Sequence, residues 1–209
     1  MTREDVEELH RLMQHCFKRD GPYHLSSGLT SNYYYDGKLG TLHPPTVWLA
    51  ANLLVDIVLD SGAEAVGGRE TGSIPISDAI GIAAHLRGKF LPSFFVRKEA
   101  KTHGTRSDVS QAHFNGQELL VPGRRVAIVD DVITTGRSIQ DAIDAVEEKG
   151  CTVTAVIGLV ERHESKGALR GRAYPVIRIF YTDEDGTIFI DEEFVRRAEA
   201  ASRSRILSR

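Results

Sequence analysis

The sequence predicts an α/β fold, and two patterns along the chain lead to this prediction. From residue 63 onward, short apolar runs of strand length alternate with segments of helical period. The apolar runs lack strict alternation of polar and apolar residues, which is typical of strands that are covered on both faces. We therefore expect a mostly parallel sheet with helices on both of its faces.

The composition indicates a single domain over residues 1–209. A chain of 209 residues, of which 41% are hydrophobic, can bury one sizeable core. The net charge of -3 and the mixed 26% of charged residues exclude a strongly basic nucleic-acid-binding surface and a disordered chain. Cys16 and Cys151 are too few for a disulfide framework, and no run approaches the roughly 18 apolar residues of a membrane span. We expect a soluble cytoplasmic protein that binds neither nucleic acid nor membrane. Its expected parts are a hood over about residues 1–40, a core over about 45–182 and a C-terminal helix over about 191–205.

The hood is expected to contain a helix and a hairpin. Apolar residues at spacings of three and four predict an amphipathic helix over residues 3–18, which Thr2 and Asp5 cap. Pro22 follows the end of this helix, and the Ser/Gly-rich stretch between aromatic segments at 24–39 predicts a hairpin. The hairpin either reaches over a site or is an ordinary surface element.

The core is expected to begin with a helix and to continue as alternating strands and helices. Pro44 and Pro45 start the first helix and Gly62 follows its end, as the preferences of proline and glycine for helix termini predict. Strands are expected within 63–68, 91–97, 124–132, 151–162 and 175–182, and helices within 73–88 and 136–150. The polar stretch 107–123 predicts a mobile loop with a short hairpin, and the tail from Glu192 predicts a solvated terminal helix.

The segment 125–138 carries the clearest chemical signal. An apolar strand leads to two adjacent acids, Asp130 and Asp131, and then to a Thr/Gly/Ser turn that opens a helix. Ligands of open α/β sheets lie beyond the carboxyl ends of the strands, and the free N–H groups of a helix start bind phosphate. The turn at 134–138 can therefore cradle a phosphate, and the two acids suit the vicinal hydroxyls of a ribose.

This segment resembles the phosphoribosyl pyrophosphate (PRPP) signature of type I phosphoribosyltransferases. The resemblance implies the fold of that family, in which a parallel sheet flanked by helices carries a small hood and a mobile basic lid. It also implies that Asp130 and Asp131 are catalytic, with Asp131 as the more sensitive acid. The PRPP-binding residues that it implies here are Asp130, Asp131, Val132, Ile133, Thr134, Thr135, Gly136, Arg137 and Ser138.

Further segments resemble orotate phosphoribosyltransferases in their order and rough spacing. They are LSSGLTSNYYYD at 25–36, GGRETGSIPIS at 67–77, FFVRKEAKTHGT at 94–105 and the Glu161–Arg162 pair. The basic third segment is the most discriminating, since purine phosphoribosyltransferases do not usually carry it. The orotate-binding residues implied are Thr134, Arg162, Tyr34, Tyr35 and Ser26. A buried hairpin tyrosine is the alternative for the aromatic pair, and an arginine at the edge of the sheet is the alternative for Arg162.

The basic segment suits a lid over a pyrophosphate. It places Arg97, Lys98, Lys101 and His103 within seven residues, with Gly104 as a hinge. A solvated basic loop is the alternative. The resemblance implies that all four cations bind PRPP, that Lys101 is catalytic, and that the lid reaches into the neighbouring subunit of a homodimer.

The glycine-rich segment predicts an anion-binding nest. Backbone amides near Gly67, Gly68 and Gly72 can bind the pyrophosphate, although a plain strand-to-helix turn is the alternative. The resemblance adds Thr71 to the PRPP site. Some members of the family have lysines at the positions of Thr71 and Ser26 and others lack both, so we expect a branch of the family and not an inactive site.

The resemblance implies a reaction as well as a fold. Ribose 5-phosphate would pass from PRPP to orotate, which gives orotidine 5'-monophosphate and pyrophosphate in UMP biosynthesis. Mg²⁺ is the implied cofactor, held through PRPP without a direct protein ligand and reached by Asp131 through water. The alternatives are another nucleobase as acceptor and a non-catalytic regulator that keeps the fold. The sequence lacks the histidine spacing of a zinc hydrolase and the serine elbow of an acyl transferase.

Overall fold

The structure is a computed structural model of the chain, and it describes most of the 209 residues. The described residues are 2–18, 21–24, 30–98, 109–111, 113–114, 117–167, 169 and 171–207. The helices are α1 (Arg3–Met13), α2 (Gly37–Thr41), α3 (Pro44–Asp60), α4 (Ser73–His85), α5 (Arg137–Glu148) and α6 (Glu192–Leu207). The strands are β1 (Phe17–Lys18), β2 (Tyr23–His24), β3 (Thr30–Ser31), β4 (Tyr34–Tyr35), β5 (Ala65–Arg69), β6 (Ser93–Val96), β7 (Val109–Gln111), β8 (His113–Phe114), β9 (Gln117–Glu118), β10 (Arg125–Ile133), β11 (Thr152–Glu161), β12 (Val176–Thr182) and β13 (Ile188–Ile190).

The main sheet confirms the predicted α/β fold. Its strand order is β13-β12-β11-β10-β5-β6-β7, and the five central strands are parallel. The two edge strands, β7 and β13, are antiparallel to their neighbours and were not predicted. Each has three residues, too few to give a hydrophobic pattern of its own.

Apolar side chains of β10 point to both faces of the sheet, which explains its unbroken apolar run. Ala127 and Val129 pack into the cluster that α1, α3, α4 and α6 cover. Val126 and Ile128 pack into a second cluster on the opposite face, together with residues of α5. A strand between two such layers has no solvated face, so it needs no polar alternation.

The predicted first helix is shorter than expected, although its start is confirmed. Thr2 and Asp5 form the capping box, in which the Asp5 carboxylate accepts from the Thr2 N–H at 2.7 Å. The helix ends at Met13, and after a 3-10 turn the chain enters β1, which pairs antiparallel with β4. The predicted hairpin is present as the antiparallel pair β2–β3.

The prediction of a solvated C-terminal helix is wrong, because one face of α6 is buried. Phe194, Val195 and Ala198 are buried in the core beside α1 and α3. Their spacing places them on one face of α6, but the surrounding arginines and glutamates hide that stripe in the sequence. Within the described part of the chain, no helix is both long and apolar enough to cross a membrane.

Candidate active site

The two predicted acids lie inside β10, within the strand predicted at 124–132. The strand continues to Ile133, because its parallel pairing with β11 extends to the Ile133–Glu161 pair. Asp130 and Asp131 are both buried, and the Asp131 N–H donates to Asp130 Oδ1 at 3.1 Å. Two adjacent carboxylates are thus held on a strand with little access to solvent.

Burial dominates the electrostatics of this pair. It raises the pKa of Asp130 well above its ordinary value, and the neighbouring charge of Asp131 raises that pKa further. Burial also raises the pKa of Asp131, while the charge of Lys38 opposes this rise. A cation that enters the site, or positive charge that develops on a bound substrate there, favours the ionised forms of both acids.

Two glycines from distant segments flank the Asp131 carboxylate. A Cβ atom on Gly37, at the start of α2, would lie closer than 3.0 Å to three atoms of the Asp131 side chain. A Cβ atom on Gly72, just before α4, would lie closer than 3.0 Å to Asp131 and 3.0 Å from Asp130 Oδ1. The hood, the β5–α4 loop and β10 therefore converge on one carboxylate.

The turn after β10 presents polar side chains to solvent around the start of α5. Thr134, Thr135, Arg137 and Ser138 are exposed, and Gly136 has a positive φ of 75° that turns the chain into the helix. The first-turn N–H groups of a helix have no partner within the helix and are suited to an anion. The phosphate cradle stays a prediction, and this exposed turn is where it would lie.

The remaining predicted PRPP residues of this strand face inward. Ile133 is 2% exposed and packs beneath Gly158, and Val132 packs against the core. A ligand could reach Ile133 only through its backbone atoms, whereas the Val132 side chain is partly exposed. Thr71 is exposed in the loop before α4, where a ligand could reach its side chain.

Two of the predicted nest glycines have a packing role. Gly67 and Gly68 lie within β5, and Cβ atoms there would be closer than 3.0 Å to Phe94 and to the Val129 carbonyl, respectively. Close approach between neighbouring strands accounts for both. Of the three predicted nest glycines, Gly72 is the one that lies beside the acids.

The base of the predicted lid contacts the glycine loop. The Lys98 N–H donates to Glu70 Oε1 at 2.8 Å, and the Arg97 guanidinium lies 5.0 Å from the centroid of the Phe95 ring. Lys98 is exposed. Three predicted site residues, Lys101, His103 and Ser26, lie outside the described residues.

Arg162 lies directly after β11, beside the end of β10, and its N–H donates to the Ile133 carbonyl at 2.9 Å. Its guanidinium is buried, pairs with Glu164 and stacks on Tyr33 at 4.6 Å. Tyr35 is buried in the core against Phe17, which matches the buried-tyrosine alternative. Tyr34 is partly exposed and lies against Tyr23, with ring centroids 5.6 Å apart.

Comparisons with known proteins agree with this geometry. A family model described as "Phosphoribosyl transferase domain" matches residues 52–188. A Nostoc orotate phosphoribosyltransferase is 36% identical over 165 residues, which cover 77% of this chain and 76% of the relative. The enzyme of the same name from Sorangium cellulosum is 39% identical over 160 residues, covering 74% of this chain and 79% of that one. The chain belongs to the orotate phosphoribosyltransferase family.

Solved structures of orotate phosphoribosyltransferases share the fold. A Mycobacterium tuberculosis orotate phosphoribosyltransferase in complex with Fe(III) dicitrate matches with a TM-score of 0.67 and 31% identity, over 84% of this chain and 97% of that one. The same enzyme in complex with PRPP matches with a TM-score of 0.65 and 27% identity, over 83% and 94% of the two chains. The likeness to these structures therefore extends over most of the chain.

Four residues near the site were missed by the sequence reasoning. Gly37 and Lys38 act on the acids, and Tyr33 and Glu164 contact Arg162. One signal was available for Tyr33, because alternate residues of an extended segment point the same way, so Tyr33 shares a face with Tyr35 and not with Tyr34. For the other three, no local pattern indicates which distant residue they meet.

Proposed function

We propose that this chain transfers ribose 5-phosphate from PRPP to orotate, forming orotidine 5'-monophosphate and pyrophosphate in pyrimidine biosynthesis. The observation that carries the proposal is the convergence of the hood, the glycine loop and β10 on Asp131, beside the exposed turn that opens α5. The names of the relatives support orotate as the base. Cys16 and Cys151 are both free and buried, and we assign the reaction to the reducing cytoplasm.

In this proposal the residues after β10 hold the donor. The turn formed by Thr134, Thr135, Gly136, Arg137 and Ser138 binds the 5-phosphate through N–H and hydroxyl donors. Asp130 and Asp131 accept hydrogen bonds from the ribose hydroxyls. Positive charge develops on the ribose as the pyrophosphate leaves, and two buried carboxylates held next to it stabilise that charge.

The donor set of the site fits a Mg²⁺ ion that arrives with the pyrophosphate. Carboxylate oxygens are ligands that Mg²⁺ prefers, and Asp130 and Asp131 supply them. Within the described residues there is no cluster of three or more His, Cys, Asp or Glu side chains that could hold a metal alone. Asp131 would contact the ion through water, and the bound ion supplies positive charge against the leaving pyrophosphate.

The lid and the loop before α4 complete the proposed donor site. Arg97 and Lys98 stand where the lid begins, and Thr71 is exposed in the loop that the lid contacts. Lys101 and His103 are assigned by the family resemblance to the same pyrophosphate, with Lys101 as the catalytic cation. Orotate is assigned to Arg162, Thr134, Tyr34 and Ser26, while the burial of Tyr35 favours a supporting role for that residue.

A homodimer with shared sites is part of the proposal. Four large apolar side chains are exposed: Trp48 on α3, Ile82 on α4, and Leu86 and Phe90 beyond the end of α4. The two helices pack against each other, and Arg87 Nη2 donates to Asn52 Oδ1 between them at 2.9 Å. Exposed apolar side chains on neighbouring elements are typical of an interaction surface.

The reaction is tested by following the orotate absorbance of the purified chain with PRPP and Mg²⁺. We expect a loss of orotate that requires both PRPP and Mg²⁺ and that Asp131→Asn abolishes. Uracil and adenine should not be converted when they are supplied in place of orotate. Asp144→Asn is the matched control, because Asp144 is an exposed acid on α5. Conversion of another base in place of orotate would contradict the assignment of the substrate.

The shared site is tested by mixing two inactive variants. If each site takes Lys101 from one subunit and Asp131 from the other, a mixture of Lys101→Ala and Asp131→Asn forms mixed dimers with one intact site. Statistical exchange then restores about a quarter of the unmodified activity. A mixture that stays inactive after subunit exchange would place both residues of a site on the same subunit.

A further inference from the structure

The guanidinium of Arg162 is held on one edge and on one face. Its Nε and Nη2 donate to the two carboxylate oxygens of Glu164, at 3.1 and 2.6 Å. The Tyr33 ring covers one face at 4.6 Å from its centroid. Arg162 is only 4% exposed, so its orientation is set by these contacts and not by solvent.

Tyr33, a residue of the hood, is itself fixed by contacts with the core. Its hydroxyl lies 3.3 Å from Glu164 Oε2 and 3.2 Å from Thr182 Oγ1. Thr182 Oγ1 also accepts from the His163 N–H at 3.0 Å. A Cβ atom on Gly186 would lie closer than 3.0 Å to the Tyr33 ring, so the ring is closely packed against the β12–β13 turn.

A second stacked arginine in the molecule provides a useful comparison. Arg178 lies 4.6 Å from the centroid of the Tyr181 ring, the same distance as in the Arg162–Tyr33 pair. Arg178 Nη1 pairs with Glu161 and Arg178 Nε pairs with Asp191, so a carboxylate contacts each edge of the guanidinium. This arrangement links β11, β12 and the start of α6, and its role is structural.

Arg162 differs from this structural arginine in having one carboxylate instead of two. Within the part of the chain that the structure describes, Nη1 and the outer hydrogen of Nη2 have no protein partner. A guanidinium edge with two parallel N–H groups matches a carboxylate or two neighbouring carbonyl oxygens. The open edge of Arg162 therefore suits the acidic pyrimidine of the proposed reaction.

We propose that Tyr33 and Glu164 are positioning residues for orotate: they hold Arg162 so that its second edge faces the base, and thereby set the preference for a carboxylated pyrimidine. This inference rests on the proposed function. A base without the carboxylate leaves N–H groups of Arg162 unpaired once the base covers them, and this discriminates strongly between bases only while those groups are fixed. Loss of Glu164 or Tyr33 lets the fork rotate and weakens that discrimination.

The test separates the KM for orotate from the KM for PRPP. We expect Glu164→Ala to raise the KM for orotate about tenfold and Tyr33→Phe, which keeps the ring but removes the hydroxyl, to raise it about threefold. The KM for PRPP should stay within about twofold, since the phosphate cradle is untouched. Glu164→Gln, which keeps the shape and one acceptor, should recover part of the orotate affinity.

The matched control is Tyr181→Leu, which removes the ring from the structural arginine. It should lower the melting temperature without moving the ratio of the two KM values. If Glu164→Ala and Tyr33→Phe raise both KM values together, or leave the orotate KM unchanged, the positioning role is wrong while the proposed function stands.

Failure of the proposed function has a different signature. In that case the unmodified chain does not convert orotate, and the same variants are compared for orotate binding by calorimetry. Weaker orotate binding in Glu164→Ala would support the positioning role even without the reaction. Equal or absent orotate binding in every variant would overturn the positioning role as well as the proposed function.

Discussion

We expect Gly37→Ala to lower kcat/KM about a hundredfold while the chain still folds. Gly37 lies at the start of α2, where the hood meets the Asp131 carboxylate. The added Cβ would be closer than 3.0 Å to Oδ2, Cγ and Cβ of Asp131, whereas ordinary contact begins at 3.4 Å. Asp131 cannot retreat freely, because Gly72 packs against its other oxygen.

The expected magnitude follows from this geometry. Restoring ordinary contact requires the carboxylate or the hood to move by about 1 Å, and a misplacement of that size costs roughly a hundredfold in rate. A hundredfold loss in kcat/KM corresponds to about 2.7 kcal/mol of transition-state stabilisation. The overpacking itself should cost about 1–3 kcal/mol of folding free energy.

Gly40→Ala is the matched control on the same helix. Its Cβ would lie 3.0 Å from Met13 Sδ and 3.1 Å from Cys16 Sγ, a crowded place that does not involve Asp131. We expect both variants to melt a few degrees lower and only Gly37→Ala to lose kcat/KM in the orotate assay. If Gly37→Ala keeps more than about a third of the unmodified kcat/KM, the hood does not constrain Asp131 as the structure indicates.

Three further predictions address the charges and the phosphate cradle. Lys38→Met removes the charge that opposes the raised pKa of Asp131, so the acid limb of the kcat/KM–pH profile should move to higher pH, and Lys38→Arg should restore it. Because the folded chain holds a proton on Asp130 more tightly than the unfolded chain does, the melting temperature should fall as pH rises above about 4. Asp130→Asn should flatten this decline in calorimetry between pH 5 and pH 8, and an equally steep variant would contradict the raised pKa. Gly136→Ala forces a side chain into a positive φ at a strain of about 1–2 kcal/mol, and the KM for PRPP should rise with little change in the KM for orotate.

The parallel core could be predicted because each of its strands carries its own signal. Every central strand is an apolar run bounded by turn residues, and burial on both faces makes that run continuous. The capping box at Thr2 and Asp5 was also predictable, because its partners are three residues apart. The edge strands and the buried stripe of α6 were not, since their structure depends on neighbours that the local sequence does not name.

The burial of the acids shows the same limit at the site. The sequence predicts a strand within 124–132 that contains both acids, but it does not show that the pairing with β11 continues to Ile133. Strand length is decided by the partner strand, which supplies the hydrogen bonds. The acids are consequently buried, and their raised pKa values follow from that burial.

The sequence by itself determined the parts of this protein whose residues are adjacent in the chain: the strand–acid–turn unit of 125–138 and the family resemblance that this unit carries. Only the tertiary structure decided which distant residues act on that unit. Gly37 meets Asp131, and Tyr33 meets Glu164 across 131 residues of chain. The physical reason is that such contacts depend on the path of the whole chain. A glycine that allows a close approach leaves no side chain to signal it, and a buried Tyr–Glu–Arg contact forms only when the hood has packed onto the core.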